Sequence, residues 1–203
     1  MLQNKIKQAK QRIANVINAN TINNIFIGHS GGKDSVAVHN LTLEVLSDAK
    51  LSNNLTLIHN PKNIYDKAKT NEAPGQTDVY NETLEFLYNT VSEYANITIV
   101  NPKNMLSFVN AKGLTLQIDG TRADENERVT KSSNLVLNGK EENRQFMTEH
   151  NQKGLYNLEF LYPIFDWSTN DVFSYLELRN IEISPEYQND DDYKKFKKQK
   201  TLK

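Results

Sequence analysis

Cysteine is absent from all 203 residues of this chain. Its absence excludes disulfide bonds, thiolate zinc sites, iron–sulfur clusters held by this chain and any cysteine nucleophile. Four histidines are present, but none of them forms an H-x-H or H-x-x-x-H pair, so we expect no structural zinc site. The chain must therefore use other side chains for any chemistry of its own.

Long apolar runs and an excess of one charge are also missing. No stretch is long enough to span a bilayer, and the first 20 residues lack the apolar centre of a signal peptide. The 24 lysines and arginines balance 25 aspartates and glutamates, so no global field favours a membrane or a nucleic acid. We therefore expect a cytoplasmic protein without a membrane partner. Its asparagine- and lysine-rich composition suggests an AT-rich genome, such as that of a phage or a low-GC bacterium.

Strand-like and helix-like segments alternate along the chain. Short apolar segments predict strands at 25–28, 55–60, 96–100 and 114–120. Amphipathic segments predict helices at 3–19, 34–48, 79–95 and 103–111. This alternation predicts a single α/β domain of Rossmann-like type, with a mostly parallel sheet and helices on both faces.

The C-terminal part continues with an apolar, extended segment at 157–165 and a further helix. Ser168 is the expected N-cap of that helix, with Asp171 three residues later as an acidic variant of the capping box. The tryptophan and the apolar positions around it are expected in the core, namely Trp167, Val172 and Tyr175. We expect the domain to cover residues 1–187.

Residues 188–203 form a charged segment that we expect to be a flexible tail. Its basic run KKFKKQK could contact nucleic acid, with Phe196 as a stacking group, although such tails more often only increase solubility. A homodimer is also left open.

The stretch IFIGHSGGKDSV places a glycine-rich loop between a predicted strand and a predicted helix. Gly31 and Gly32 allow a tight turn whose N–H groups point at an anion, and the helix adds its positive end. Ser30 and Ser35 supply hydroxyl groups, and Lys33 supplies a positive charge. These residues predict a phosphate-binding loop rather than a plain strand–turn–helix connection.

The spacing of this loop argues against a Walker A motif. Gly28 and Gly32 are one residue too close, and Asp34 stands where a hydroxyl-bearing residue should hold magnesium. Asp34 is instead a candidate ligand for a Mg²⁺ ion that bridges phosphates, or simply an acidic residue in the first helical turn. His29 borders the loop and is expected to be a structural neighbour rather than a phosphate ligand.

The hexapeptide SGGKDS resembles the PP-loop of the adenine nucleotide alpha hydrolase-like superfamily. The stretches IDGTRADENER, YPIFDWSTNDVFSYL and NIEISPEY resemble the phosphoadenosine phosphosulfate (PAPS) reductase family within that superfamily, so the resemblance covers residues 22–187. The chain departs from the family at His59 and Asn60, where an acidic ending is usual. It also lacks the cysteine with which PAPS reductases attack sulfur, which disfavours a thiol-dependent reductase.

The resemblance implies roles for the residues after the fourth predicted strand. Gly120 would turn the chain, Arg122 would meet a sulfate or phosphate, and Glu125 and Arg128 would flank it, because arginine binds such oxyanions through two parallel hydrogen bonds. The implied ligand is ATP or a related adenine nucleotide, with PAPS as an alternative and Mg²⁺ as the companion ion.

Two functions remain open at the level of sequence. The first is an enzyme that cleaves ATP between its α- and β-phosphates and adenylylates an acceptor, with Lys33, Asp34 and Arg122 as the candidate catalytic residues. A partner or small molecule would then supply sulfur or another nucleophile. The second is a non-catalytic subunit or sensor that binds a nucleotide or PAPS.

Overall fold

The computed structural model describes residues 1–20, 22–51, 56–59, 97–99, 105–123, 159–185, 187 and 190–201. The described helices are α1 (Leu2–Ala19), α2 (Lys33–Asp48), α3 (Met105–Ala111), α4 (Thr169–Leu178) and α5 (Asp191–Thr201). The described strands are β1 (Ile25–His29), β2 (Thr56–His59), β3 (Ile97–Ile99), β4 (Leu116–Ile118) and β5 (Glu159–Leu161). The four predicted strands are thus present, and the helix predicted at 79–95 lies outside the described residues.

The five described strands form one sheet in the order β3-β2-β1-β4-β5, and each neighbouring pair is parallel. Strand β5 comes from the apolar segment expected to be extended at 157–165. Parallel strands need crossover connections, and the described helices α2 and α3 lie between β1 and β2 and between β3 and β4. The predicted α/β class with a parallel sheet is confirmed.

Alternation of side chains along β1 supplies both faces of the sheet with apolar groups. Ile25 and Ile27 join the main core formed with α1, α2 and α4, whereas Phe26 joins a second cluster with residues of β2 and α3. Both faces are therefore covered by helices, as the sequence predicted. All three of these β1 side chains are almost completely buried.

Helix α1 contacts the first turn of α4 and the segment that precedes it. Arg12 donates to the carbonyl oxygen of Pro163 at 2.7 Å and pairs with Asp166 at 2.6 Å. Lys5 pairs with Asp171 at 2.6 Å. These contacts join the first helix to the family-like stretch YPIFDWSTNDVFSYL.

Helix α4 begins with the predicted capping box. The Ser168 hydroxyl accepts from the Asp171 N–H at 3.2 Å, and the Asp171 carboxylate accepts from the Ser168 N–H at 2.8 Å. The predicted core residues Trp167, Val172 and Tyr175 are each at most 2% exposed. The cap and the core of this segment are therefore confirmed.

The charged C-terminal segment corrects the expectation of a flexible tail, because residues 191–201 form helix α5. Phe196 is buried, with its ring centroid 5.5 Å from that of Phe173 in α4. Lys197 and Lys200 pair with Glu177 of α4. Phe196 is therefore a packing residue and is not available to stack on a nucleic-acid base.

No helix among the described residues is both long enough and apolar enough to cross a membrane.

Candidate functional site

The candidate site lies where the strand order reverses. Strand β1 is followed in sequence by β2 on one side, and β4 pairs with β1 on the other side. In open parallel sheets, ligands bind in the crevice beyond the carboxyl ends of the strands at such a reversal. The glycine-rich loop follows β1, and the Gly120–Arg122 segment follows β4, so the topology places both at this point.

The loop after β1 is shaped by its glycines and its two serines. Gly31 has a φ of 85°, which glycine adopts without strain, and Gly32 is the N-cap of α2. The Ser30 hydroxyl accepts from the Gly32 N–H at 3.2 Å, and the Ser35 hydroxyl donates to the Gly32 carbonyl at 2.9 Å. The serines predicted to bind phosphate thus also hold the loop in its turn.

Three charged side chains meet at the first turn of α2. Asp34 lies between two cations, with Oδ2 at 2.8 Å from Lys33 Nζ and Oδ1 at 2.7 Å from Arg122 Nε. The side chains of Lys33 and Asp34 are 13% and 15% exposed, and that of Arg122 is only 2% exposed. The structure therefore brings together Lys33, Asp34 and Arg122, the three residues that the sequence singled out as catalytic candidates.

Arg122 reaches Asp34 because Gly120 allows close approach of the β4 and α2 backbones. A Cβ atom at Gly120 would lie 2.7 Å from the Asp34 carbonyl carbon and 2.8 Å from the Ser35 nitrogen. Gly120 is not among the glycines with positive φ. Its absent side chain, rather than an unusual turn, is thus what the site requires.

The turn between β4 and Arg122 is held by Asp119. Its Oδ1 accepts from the N–H and the hydroxyl of Thr121 at 2.9 and 2.5 Å, and its Oδ2 accepts from Gln117 Nε2 at 2.9 Å. Burial and the charge of Asp119 both raise the pKa of Tyr162. Sequence reasoning did not single out Asp119, although its place at the end of a predicted strand was a usable signal.

Tyr187 also belongs to the site, and sequence reasoning assigned it no role there. Its hydroxyl accepts from the backbone N–H of Lys33 at 3.2 Å, and Lys33 Nζ lies 5.4 Å from the centroid of its ring. The signal that could have identified this residue was its position in the family-like NIEISPEY stretch. Tyr187 therefore contacts both the backbone and the side chain of the loop lysine.

His29 is a structural neighbour of the loop, as expected. It is 2% exposed, and its ring packs edge-on against the ring of His39 at 5.7 Å between centroids. Burial lowers the pKa of His39 to about 4, so this second histidine is neutral at physiological pH.

Two of the implied anion-binding residues, Glu125 and Arg128, lie outside the described residues, and so does Asn60. Their roles stay predictions. Within the described ranges, no three histidine, aspartate or glutamate side chains converge as a metal site.

The residues present do not favour Mg²⁺ binding by Asp34. Both oxygens of this carboxylate already face a cation, Arg122 on one side and Lys33 on the other. A divalent ion bound directly to Asp34 would lie close to two positive charges, which repel it. The magnesium ligand role of Asp34 stays a prediction, and we assign no chemical step to it.

Comparison with known proteins decides the family. Residues 24–193 match the phosphoadenosine phosphosulfate reductase domain. The chain belongs to this family. This PAPS reductase domain contains no cysteine among its 203 residues. Among curated proteins, no sequence matches the chain.

Solved structures show the same fold in this PAPS reductase domain and in adenylyl-transferring proteins. Candida glabrata FMN adenylyltransferase in complex with ATP superposes with a TM-score of 0.59 at 15% identity, over 92% of this chain and 58% of that one. Its complex with FMN and the ATP analog AMPCPP gives 0.61 at 16% identity, over 92% and 60%.

The U34-tRNA thiolase NcsA from Methanococcus maripaludis, determined with its 4Fe-4S cluster, is similar with a TM-score of 0.51 at 17% identity. The match covers 89% of this chain and 66% of that one. The chain thus spans less than two thirds of the length of each of these proteins.

Proposed function

We propose that this domain binds an adenine nucleotide through the Ser30–Ser35 loop and cleaves ATP between its α- and β-phosphates. The observation that carries this proposal is the meeting of the α2 N-terminus, Lys33 and the buried Arg122 at the strand reversal. Membership of the PAPS reductase family and the ATP complexes of similar structures support adenine as the base.

In the proposed reaction, an oxygen of the acceptor attacks the α-phosphorus of ATP. The bond from this phosphorus to the bridging oxygen breaks, the acceptor proton passes to solvent, and pyrophosphate leaves with the bridging oxygen. AMP remains attached to the acceptor. A sulfur or nitrogen nucleophile from a partner or small molecule would then displace AMP.

The residues of this chain act by position and charge in the proposed reaction. The first N–H groups of α2 and the Lys33 ammonium group face the region where negative charge develops on pyrophosphate. The Arg122 side chain is 2% exposed and is already held in place, so it loses little conformational entropy when it binds a phosphate oxygen. Asp34 orients both cations through its two oxygens.

The experiment is incubation of the purified chain with ATP and Mg²⁺, with and without candidate acceptors, while AMP and pyrophosphate are measured. FMN and tRNA are the first acceptors to test, because the similar structures are an FMN adenylyltransferase and a tRNA thiolase. We expect pyrophosphate release, and Lys33→Ala should slow it about 100-fold, as the loss of one charge-stabilising donor does elsewhere. Release of ADP and phosphate instead would contradict the proposal.

Lys10→Ala is the matched control for Lys33→Ala. Lys10 pairs with Glu44 and Asp48 between α1 and α2, away from the glycine loop. Its removal should therefore leave pyrophosphate release unchanged, which separates a local effect of Lys33 from a general effect of lost lysine charge.

The second candidate function is nucleotide or PAPS binding without turnover. The observation that favours it is the sharing of Asp34 between Lys33 and Arg122, which neutralises part of the charge available for catalysis. Tight binding of ATP or PAPS without release of AMP, and an effect of Lys33→Ala on affinity alone, would support this candidate over the enzyme.

A further inference from the structure

Tyr187 lies over the N-terminal end of α2 and occupies a hydrogen-bond donor of the glycine loop. Its hydroxyl oxygen accepts from the Lys33 N–H at 3.2 Å. It would also lie only 3.0 Å from a Cβ atom at Gly32. The Tyr187 hydroxyl therefore sits directly against the Gly32–Lys33 backbone.

The Lys33 N–H is one of the donors that an anion at this loop would use. Lys33 is the first residue of α2, and the first N–H groups of a helix have no partner within the helix. A phosphate oxygen carries charge and accepts a stronger hydrogen bond than a neutral phenol oxygen. Phosphate can therefore replace the Tyr187 hydroxyl at this N–H.

Tyr187 is held in place by the aromatic cluster beneath α5. Its ring packs edge-on against Phe173 at 6.2 Å, and Phe173 also contacts Tyr193 at 5.0 Å and Phe196 at 5.5 Å. The Asp190 N–H donates to the Tyr187 carbonyl at 3.1 Å at the start of α5. The position of Tyr187 is thus tied to the packing of the C-terminal helix.

We propose that Tyr187 is a positioning residue that controls access to the anion site, and that α5 sets how firmly it does so. The hydroxyl of Tyr187 accepts a hydrogen bond from the Lys33 N–H, and a phosphate group that binds the loop displaces it. This inference rests on the proposed function, namely that the Ser30–Ser35 loop binds phosphate. It adds that the Tyr187 hydroxyl competes with phosphate for the Lys33 N–H. It also adds that the packing of α5 influences this competition.

The test is calorimetric titration of the full chain with inorganic pyrophosphate and with ATP. Tyr187→Phe keeps the ring against Phe173 but removes the competing acceptor. Both ligands should therefore bind about 2- to 10-fold more tightly, which corresponds to the net free energy of one hydrogen bond. Phe196→Ala loosens the support of Tyr187 from α5 and should shift affinity in the same direction. Equal or weaker binding by Tyr187→Phe would overturn the inference.

Tyr193→Phe is the matched control. Tyr193 lies in the same aromatic cluster, and Lys197 Nζ lies 5.2 Å from the centroid of its ring. Lys197 is a residue of α5, so Tyr193 contacts a cation as Tyr187 does, but not the cation of the glycine loop. Removal of its hydroxyl should leave pyrophosphate affinity unchanged. Thermal unfolding of every variant shows whether it is folded at the temperature of the titration, so that affinities are compared between folded proteins.

A spectroscopic readout separates displacement of Tyr187 from a general effect on stability. In the wild-type chain, pyrophosphate should shift the Lys33 amide and the Tyr187 ring resonances with the same midpoint in nuclear magnetic resonance spectra. A Lys33 amide that shifts while the Tyr187 ring does not would refute displacement. Absence of any wild-type binding would instead refute the proposed function itself.

Discussion

Arg122 joins the turn after β4 to the first turn of α2 through an ion pair of 2.7 Å with Asp34. The guanidinium group is 2% exposed, so Asp34 faces a positive charge that is almost completely removed from water. Asp34 in turn holds Lys33 at 2.8 Å through its other oxygen. The ion pair therefore connects the segments that follow β1 and β4, the two strands on either side of the strand reversal.

We expect Asp34→Asn to destabilise the fold by about 3 kcal/mol, because it removes the carboxylate that faces the buried Arg122 charge. Arg122→Met should cost less, since Asp34 then keeps its contact with Lys33. The double variant should be more stable than the sum of both losses predicts. Urea denaturation of the four proteins measures this coupling, and simple additivity would show that the pair does not interact.

Gly120→Ala tests the close approach of the two backbones. The added Cβ atom would meet Asp34 and Ser35 backbone atoms below 3 Å, so we expect a loss of about 1–3 kcal/mol and weaker ATP binding. Gly113→Ala is the control, because Gly113 has a φ of 64° but nothing within 4 Å of an added Cβ. It should lose about 1–2 kcal/mol through backbone strain alone and bind ATP normally. Equal ATP binding by the two variants would contradict the role given to Gly120.

His39 predicts a pH dependence of stability. Burial lowers its pKa in the folded chain to about 4 from an ordinary value of 6.5, so the unfolded chain binds more protons between these values. Its contribution to stability is complete above pH 6.5 and is lost as the pH falls toward 4. The loss is about 3 kcal/mol.

Denaturant unfolding of the wild type and of His39→Gln at pH values from 7 to 4 measures this dependence. The variant should show a smaller fall in the free energy of unfolding across the range. Parallel curves for the two proteins would mean that His39 does not titrate in this way.

Ser168→Ala removes the side-chain half of the capping box at the start of α4. The Asp171 N–H then loses its acceptor, and we expect a loss of about 1 kcal/mol in the free energy of unfolding. Ser174→Ala lies within the same helix and should be neutral or slightly stabilising, because alanine is the better helix former. A Ser168 effect no larger than that of Ser174 in urea denaturation would rule out the cap as a source of stability.

Local sequence was sufficient for the parts of the fold that depend on neighbouring residues. The loop between β1 and α2 could be recognised because glycines, serines, lysine and aspartate stand within six positions between an apolar strand and an amphipathic helix. The capping box of Ser168 and Asp171 could be recognised for the same reason. Both features involve groups a few residues apart, whose relative positions the backbone geometry of a turn or helix nearly determines.

Contacts between distant segments changed one expectation and added a physical reason to another. The charged segment at 188–203 indicated a flexible tail, yet burial of Phe196 against Phe173 stabilises a helix over residues 191–201. Gly120 was expected to turn the chain, and the structure adds that its missing side chain makes room for the backbone of α2. Periodicity and composition describe one segment at a time, so neither could indicate which surface lies opposite.

By itself the sequence determined the family, the alternation of strands and helices, the phosphate-type loop and the absence of a thiol. The tertiary structure alone decided that Asp34 is shared by Lys33 and Arg122 and that Tyr187 covers the Lys33 N–H. The physical reason is that Arg122 and Tyr187 reach the first turn of α2 from distant parts of the chain. Only the order of strands in the sheet and the packing of α4 and α5 bring them there.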